Sequence, residues 1–191
     1  SSALSGPYAA ENILAAAAAA RLFGLDTEAI RKGVESAPFP AQRFAKHDMP
    51  GWTVIDDTYN ANPLSARRML EAAAELADGK DFVCVMGAMG ELGDVAEEEH
   101  ERLGRELALS GCKAVFWTGE HAEQVEKGLK SLDFPGFFAA FSEAGDFLPA
   151  FERWEKTRGE KHPGLVIFKG SRVNRMERLV TLFMERKNHA L

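Results

Sequence analysis

Short, wholly apolar runs alternate with segments of helical period along most of the chain. The runs are Trp52 to Ile55, Phe82 to Met86, Ala114 to Trp117, Phe137 to Phe141 and Leu165 to Phe168. Each is apolar at successive positions, as in a strand covered on both faces of a parallel sheet. Between and after them, apolar residues recur at helical spacing. They are Ala66, Met69, Leu70, Ala73 and Leu76; Leu103 and Leu107; Ala122, Val125 and Leu129; Phe147, Leu148, Phe151 and Trp154; then Met176, Leu179, Val180, Phe183 and Met184. About five β-α units in succession predict an α/β fold, a doubly wound and mostly parallel sheet of about five or six strands. Arg43 to His47 predicts an added edge strand, with Pro50-Gly51 as the turn out of it. Pro149 interrupts the fourth helical pattern and places its start near Asp146.

The N-terminal part differs. Tyr8 to Phe23 and Thr27 to Ser36 predict a helix pair, broken at Gly24 and restarted with Asp26 or Thr27 as N-cap. The alanine-rich first helix has little bulk of its own to bury, so the pair is expected to pack on an element that the chain lacks. Pro38 and Pro40 predict a linker, and a domain boundary near Pro40 separates 1–40 from 41–191. The chain opens Ser1-Ser2-Ala3, without an initiating Met or a leader, and reads as a piece of something longer.

Composition narrows the function classes. With 191 residues, 46% of them apolar, the chain can bury a substantial core. The apolar run Ile13 to Ala20 falls well short of the roughly 20 residues that cross a bilayer, so no membrane insertion is expected. The net charge of -6 is spread along the chain without a basic stripe, which argues against nucleic-acid binding. Cys84 and Cys112 lack CxxC spacing and predict reduced, structural thiols in a cytoplasmic protein.

Ligands of open α/β sheets bind beyond the carboxyl ends of the strands. Three polar or glycine-rich segments fall there: IDDTYNANP at 55–63, MGAMGELG at 86–93 and FKGSR at 168–172. They are expected to converge on one rim. Asn62 capping a helix that begins at Pro63 explains part of the first segment. It leaves Asp56, Asp57, Tyr59 and Asn60 without a role. The glycines of the second segment permit close backbone approach but lack GxGxxG spacing, which disfavours a dinucleotide-dependent dehydrogenase. A cation pair such as Lys169 and Arg172 at a strand end is, taken alone, often solvated. No GxxxxGK[ST] phosphate cradle occurs in the chain. His47, His100, His121, His162 and His189 have no metal-ligand spacing and predict surface or packing roles, and no metal site is expected. Glu97 to Glu99 suits the first turn of a helix.

In order and spacing, IDDTYNANP, MGAMGELG and FKGSRVNRMERLV, preceded by an Asn-bearing alanine-rich helix, resemble the Mur ligases of peptidoglycan synthesis. The resemblance covers nearly the whole chain from Gly6. It implies that 1–40 are the last helices of a central ATPase domain and that 41–191 form a C-terminal Rossmann-like domain. It also implies an ATP-dependent ligase that works through an acyl phosphate. ATP and Mg²⁺ would be held mainly by the absent central domain, and the isolated piece would be inactive. DDTYNANP further implies D-alanyl-D-alanine as the incoming amine and UDP-N-acetylmuramoyl-tripeptide as the acceptor, in a monomer whose partners are its own upstream domains.

Residue by residue, Asn12 matches an asparagine that contacts the adenine nucleotide. Arg43 matches the catalytic arginine that reaches the terminal phosphate, and Asp57 matches the acid that holds the ribose. Tyr59 and Asn60 fall in the same nucleotide-facing loop. Asn62, Glu91, Lys169, Ser171 and Arg172 fall where the family builds its dipeptide pocket. The chain departs from the family pattern at Tyr8 and Ala9, at Gln42 in place of a usual glycine, and at Ala88 in place of an acid. Those departures leave open a divergent subfamily or altered activity, and another amino-acid ligase of the Mur or folylpolyglutamate type is the alternative reading. A further alternative is a non-catalytic nucleotide-sensing or interaction module on the same scaffold.

Overall fold

The computed structural model describes residues 7–37, 41–158 and 163–188, the side chains of 7–9 and 187–188 excepted. The expected boundary at Pro38 to Pro40, and His162 and His189, lie outside the described residues. The elements run α1 (Pro7–Leu22), α2 (Thr27–Ser36), β1 (Ala45–Met49), β2 (Trp52–Asp57), α3 (Pro63–Ala77), β3 (Asp81–Gly87) and α4 (Ala96–Leu109). They continue with β4 (Ala114–Thr118), α5 (Ala122–Lys130), β5 (Phe137–Phe141), α6 (Ala144–Thr157), β6 (Gly164–Lys169) and α7 (Glu177–Asn188).

The sheet order is β1-β2-β6-β3-β4-β5. Only β1 is antiparallel to its neighbour. Strand β6 enters last and fills the gap between β2 and β3, so the sheet's topological switch lies at its centre. The register sets Lys169 beside Asp57 on one side and Met86 on the other. The three segments singled out in the sequence therefore begin on adjacent strands.

Every residue of β6 is buried, and its side chains alternate between two cores. Leu165 and Ile167 join the core that α3, α4 and α5 cover, while Val166 and Phe168 join that of α6 and α7. The second core is aromatic: Phe151 lies 5.0 Å from Phe183, 5.3 Å from Trp52 and 5.4 Å from Trp154. Helix α6 begins at Ala144, two residues before the expected Asp146, because Ala144 also packs against this second core. Proline removes one helical hydrogen bond, while buried Phe147, Phe151 and Trp154 hold the face on which the helix must continue. Where α4 meets α5 the backbones touch through glycine. A Cβ on Gly104 would stand 2.2 Å from the Val125 carbonyl oxygen, and one on Gly128 2.1 Å from that of Glu101.

Other boundaries shift for local reasons. Strand β1 starts at Ala45 rather than Arg43 because Gln42 (φ 61°) and Phe44 (φ 58°) adopt left-handed backbone that cannot continue a strand. Leu76 points to solvent, and Ala77 takes the buried position at the end of α3. Cys84 and Cys112 are free and buried; burial pushes the Cys84 thiol up, the neighbouring Cys84 thiol draws Cys112 down, and Cys112 Sγ donates to the Leu107 carbonyl at 3.4 Å.

Among the described side chains, α1 and α2 contribute no buried residue, and Leu14, Leu22 and Phe23 are 71%, 88% and 86% exposed. Asp26 caps α2 by accepting from the Ala29 amide at 2.7 Å. The pair meets the sheet domain through α3, where Glu11 forms an ion pair with Arg68. No described helix is long and apolar enough to cross a membrane.

Candidate active site

Strand β2 delivers Asp57 to the rim, and β6 delivers Lys169 to the same point. The Lys169 ammonium donates to Asp57 Oδ2 at 2.6 Å and to the Asn60 carbonyl at 3.0 Å, while Asp57 Oδ1 accepts from the Phe44 amide at 3.1 Å. Both side chains are almost fully buried. The expectation of a solvated cation pair therefore fails for Lys169, which sits in the core on a counter-ion, and holds in exposure alone for Arg172. Burial pushes the Asp57 carboxyl up and the Lys169 ammonium down, and each partner's charge opposes the other's shift. The nearby Arg43 charge further disfavours the ammonium.

This buried pair anchors the loop that carries Arg43. Phe44, itself buried, is tied by its amide to Asp57, and the Gln42 carbonyl accepts from the Tyr59 amide at 2.9 Å. Left-handed backbone at non-glycine residues costs about 1–2 kcal/mol each and persists where surrounding contacts over-determine it. Here those contacts bracket Arg43. Its guanidinium lies 4.1 Å from the centre of the Tyr59 ring, and that of Arg172 lies 5.4 Å from the same ring. Among the described residues neither arginine has a carboxylate partner.

The glycine-rich segment meets β6 through Asn174, which the sequence reading did not single out. Its Nδ2 donates to the Ala88 carbonyl at 2.7 Å and to Ser171 Oγ at 2.8 Å. The Ser171 amide also reaches Ala88 O at 3.2 Å. A Cβ on Gly87 would stand 2.8 Å from Asn174, so glycine is required there by close approach. With Nδ2 occupying an acceptor site, the buried Ser171 hydroxyl keeps its proton free to donate.

His100 braces the other side of this segment. Its Nδ1–H donates to the Ala96 carbonyl at 2.6 Å, and Nε2 accepts from the Met89 amide at 2.9 Å, which fixes a neutral ring. Burial holds its pKa below the ordinary 6.5, opposed by the Ala96 bond and helped by His121 stacked at 4.3 Å. A histidine whose folded pKa is depressed binds its proton more readily when unfolded. Its stabilisation is complete above pH 6.5 and is lost as pH falls toward the folded value. Urea denaturation between pH 7 and 5 is therefore expected to show stability falling by up to about 1.4 kcal/mol per pH unit from this proton. His100→Gln should remove that component of the slope.

The remaining sequence candidates separate. Asn62 caps α3, accepting from the Ser65 amide at 2.8 Å while its own amide donates to Ser65 Oγ at 3.0 Å. Asn60 is exposed and turns its Oδ1 onto the Ala61 amide at 2.9 Å. Glu91 is exposed at left-handed φ 61°, and Asn12 lies on α1 beside the groove toward α2. The structure thus joins Arg43, Asp57, Tyr59, Lys169 and Arg172 directly, with the Asn60 carbonyl and Ser171 adjoining, but not Asn12, Asn62 or Glu91. An S-x-x-N spacing at 171–174 was the available signal for Asn174, and nothing local marked His100.

The profile of the family described as Mur ligase, glutamate ligase domain, matches residues 42–172. The chain belongs to the Mur ligase family. A UDP-N-acetylmuramoyl-tripeptide–D-alanyl-D-alanine ligase of Treponema pallidum is 33% identical over 189 residues, covering 96% of this chain and 39% of its own. The crystal structure of MurF from Acinetobacter baumannii superposes with a TM-score of 0.80 at 33% identity, over 95% of this chain and 38% of its own. MurF from Thermotoga maritima, solved in complex with ADP, gives a TM-score of 0.66 at 26% identity over 83% of this chain and 34% of its own. This Mur ligase chain spans between 34% and 39% of the length of those relatives. The matched segment opens at Gln42 and closes at Arg172, so both guanidiniums on Tyr59 fall within the Mur ligase domain.

Proposed function

We propose that this chain is the C-terminal portion of an ATP-dependent ligase that joins D-alanyl-D-alanine to UDP-N-acetylmuramoyl-tripeptide in peptidoglycan synthesis. The observation that carries it is a rim where Arg43 and Arg172 are exposed on Tyr59 and carry no counter-ion among the described residues. Guanidiniums so presented suit phosphate and carboxylate oxygens. The names of the relatives, one of them solved with ADP, support the substrate classes.

In this reading 1–40 are the last helices of the central domain, supported by the unburied apolar residues of α1 and α2. ATP, when bound, supplies the phosphoryl group that activates the peptide carboxylate. Arg43 offers its charge to the terminal phosphate. Asp57 retains lone pairs beyond those used by Lys169 and Phe44 with which to meet ribose hydroxyls. The donating Ser171 hydroxyl orients the dipeptide carboxylate, with Glu91 available to its amine, while Arg172 adds its charge to that of Arg43 across the Tyr59 ring. Mg²⁺ would be held mainly by the upstream domain; among the described residues no cluster of His, Cys, Asp or Glu is arranged for a metal.

The test is turnover by the protein with its upstream domains intact, offered ATP, the UDP-tripeptide and either D-alanyl-D-alanine or single amino acids. Amide formation at least about a hundredfold faster with the dipeptide is expected. Strong turnover with one amino acid and none with the dipeptide would assign a different ligase. Nucleotide binding without amide formation would assign a sensing module.

A further inference from the structure

We propose that Tyr59 is a positioning residue whose ring holds Arg43 and Arg172 together as one two-guanidinium site for an anion. That the anion is the phosphoryl group of the activated carboxylate rests on the ligase reading; the ring-held pair does not.

The residue types argue for it. Arg43 and Arg172 come from opposite ends of the matched domain, on the loop before β1 and the turn after β6, yet both meet one ring, at 4.1 and 5.4 Å. The face of an aromatic ring is electron-rich and attracts guanidinium ions. The third cation of the rim, Lys169, is spent on Asp57 and is buried, so the two arginines carry the positive charge that reaches solvent. Unsupported, they would repel one another, and each would lose rotamer freedom on closing around an anion. Stacking on a fixed ring removes much of both costs before a ligand arrives.

Tyr59 is fixed for this task. Its amide is bonded to Gln42, and the strained backbone at Gln42 and Phe44 aims Arg43 toward it. Among the described residues its phenol hydroxyl has no hydrogen-bond partner, so the ring rather than the hydroxyl makes the contacts. Tyr59 is 41% exposed, which leaves little of the core to lose on truncation.

The experiment compares Tyr59→Phe, Tyr59→Leu and Tyr59→Gln in the protein with its upstream domains, labelled with ¹⁵N-arginine. Arg43→Lys and Arg172→Lys assign the resonances. Ring-current-shifted Nε–Hε signals of Arg43 and Arg172 are expected in the wild type and in Tyr59→Phe without ligand. Both signals should collapse to the bulk arginine position in the Leu and Gln variants. In steady state, loss of the ring should lower kcat about ten- to thirtyfold with KM for the dipeptide changed less than about threefold, and Phe should restore most of the loss. Unshifted arginine signals in the wild type, or signals unchanged by Leu and Gln, would overturn the proposal. So would a Phe variant as impaired as Leu, which would assign the work to the hydroxyl. If the wild type forms no amide with any acceptor, the ligase reading fails, and the resonances still decide whether Tyr59 holds the pair.

Discussion

Lys169→Met is expected to lower the stability of the sheet domain by about 3–5 kcal/mol, because it strips the counter-ion from a buried carboxylate. Asp57→Asn should cost a comparable amount, leaving the Lys169 ammonium buried without its partner. The double variant Asp57→Asn with Lys169→Met should lose less than either single one. It removes both charges, keeps an oxygen for the Phe44 amide, and fills the lysine channel with a methylene chain of similar length. Urea denaturation of the set checks this, and losses that simply add would show that the pair does not act as one unit.

Arg43→Ala is expected to reduce kcat about 10²–10³-fold, the loss seen when one preorganised donor to developing charge is removed. Arg43→Lys should recover little of it. A lysine can supply the charge, but not the planar group that stacks on Tyr59 while presenting its fork to oxygen. Steady-state kinetics on the protein with its upstream domains provides the measurement, and full activity in the lysine variant would contradict the stacked geometry.

The strands and most helices were legible because buried parallel strands are apolar at successive positions and amphipathic helices are not. Trp52, Phe82, Ala114, Phe137 and Leu165 fall at or one residue inside the starts of the observed strands. The differences arose where tertiary contacts override local preference: at Gln42 and Phe44, whose left-handed backbone delays β1, and at Ala144, whose packing against the second core starts α6 two residues before Asp146. In the candidate site, the cap at Asn62 and the convergence of three segments could be read from turn chemistry and topology. The pairing of Asp57 with Lys169 could not, since it joins residues 112 positions apart and depends on β6 inserting between β2 and β3. The bond from the Met89 amide to His100 likewise depends on how α4 packs back against its preceding loop.

Isotope transfer decides whether this rim belongs to a ligase that activates a carboxylate as an acyl phosphate. The UDP-tripeptide carrying ¹⁸O at both oxygens of its reacting carboxylate is incubated with ATP, D-alanyl-D-alanine and the protein with its upstream domains, and the released phosphate is analysed by mass spectrometry. When the amine displaces phosphate, the bridging carboxylate oxygen leaves with it, so about one ¹⁸O should appear in phosphate for each amide formed. Amide formation that leaves the phosphate unlabelled, or phosphate release without any amide, would contradict it.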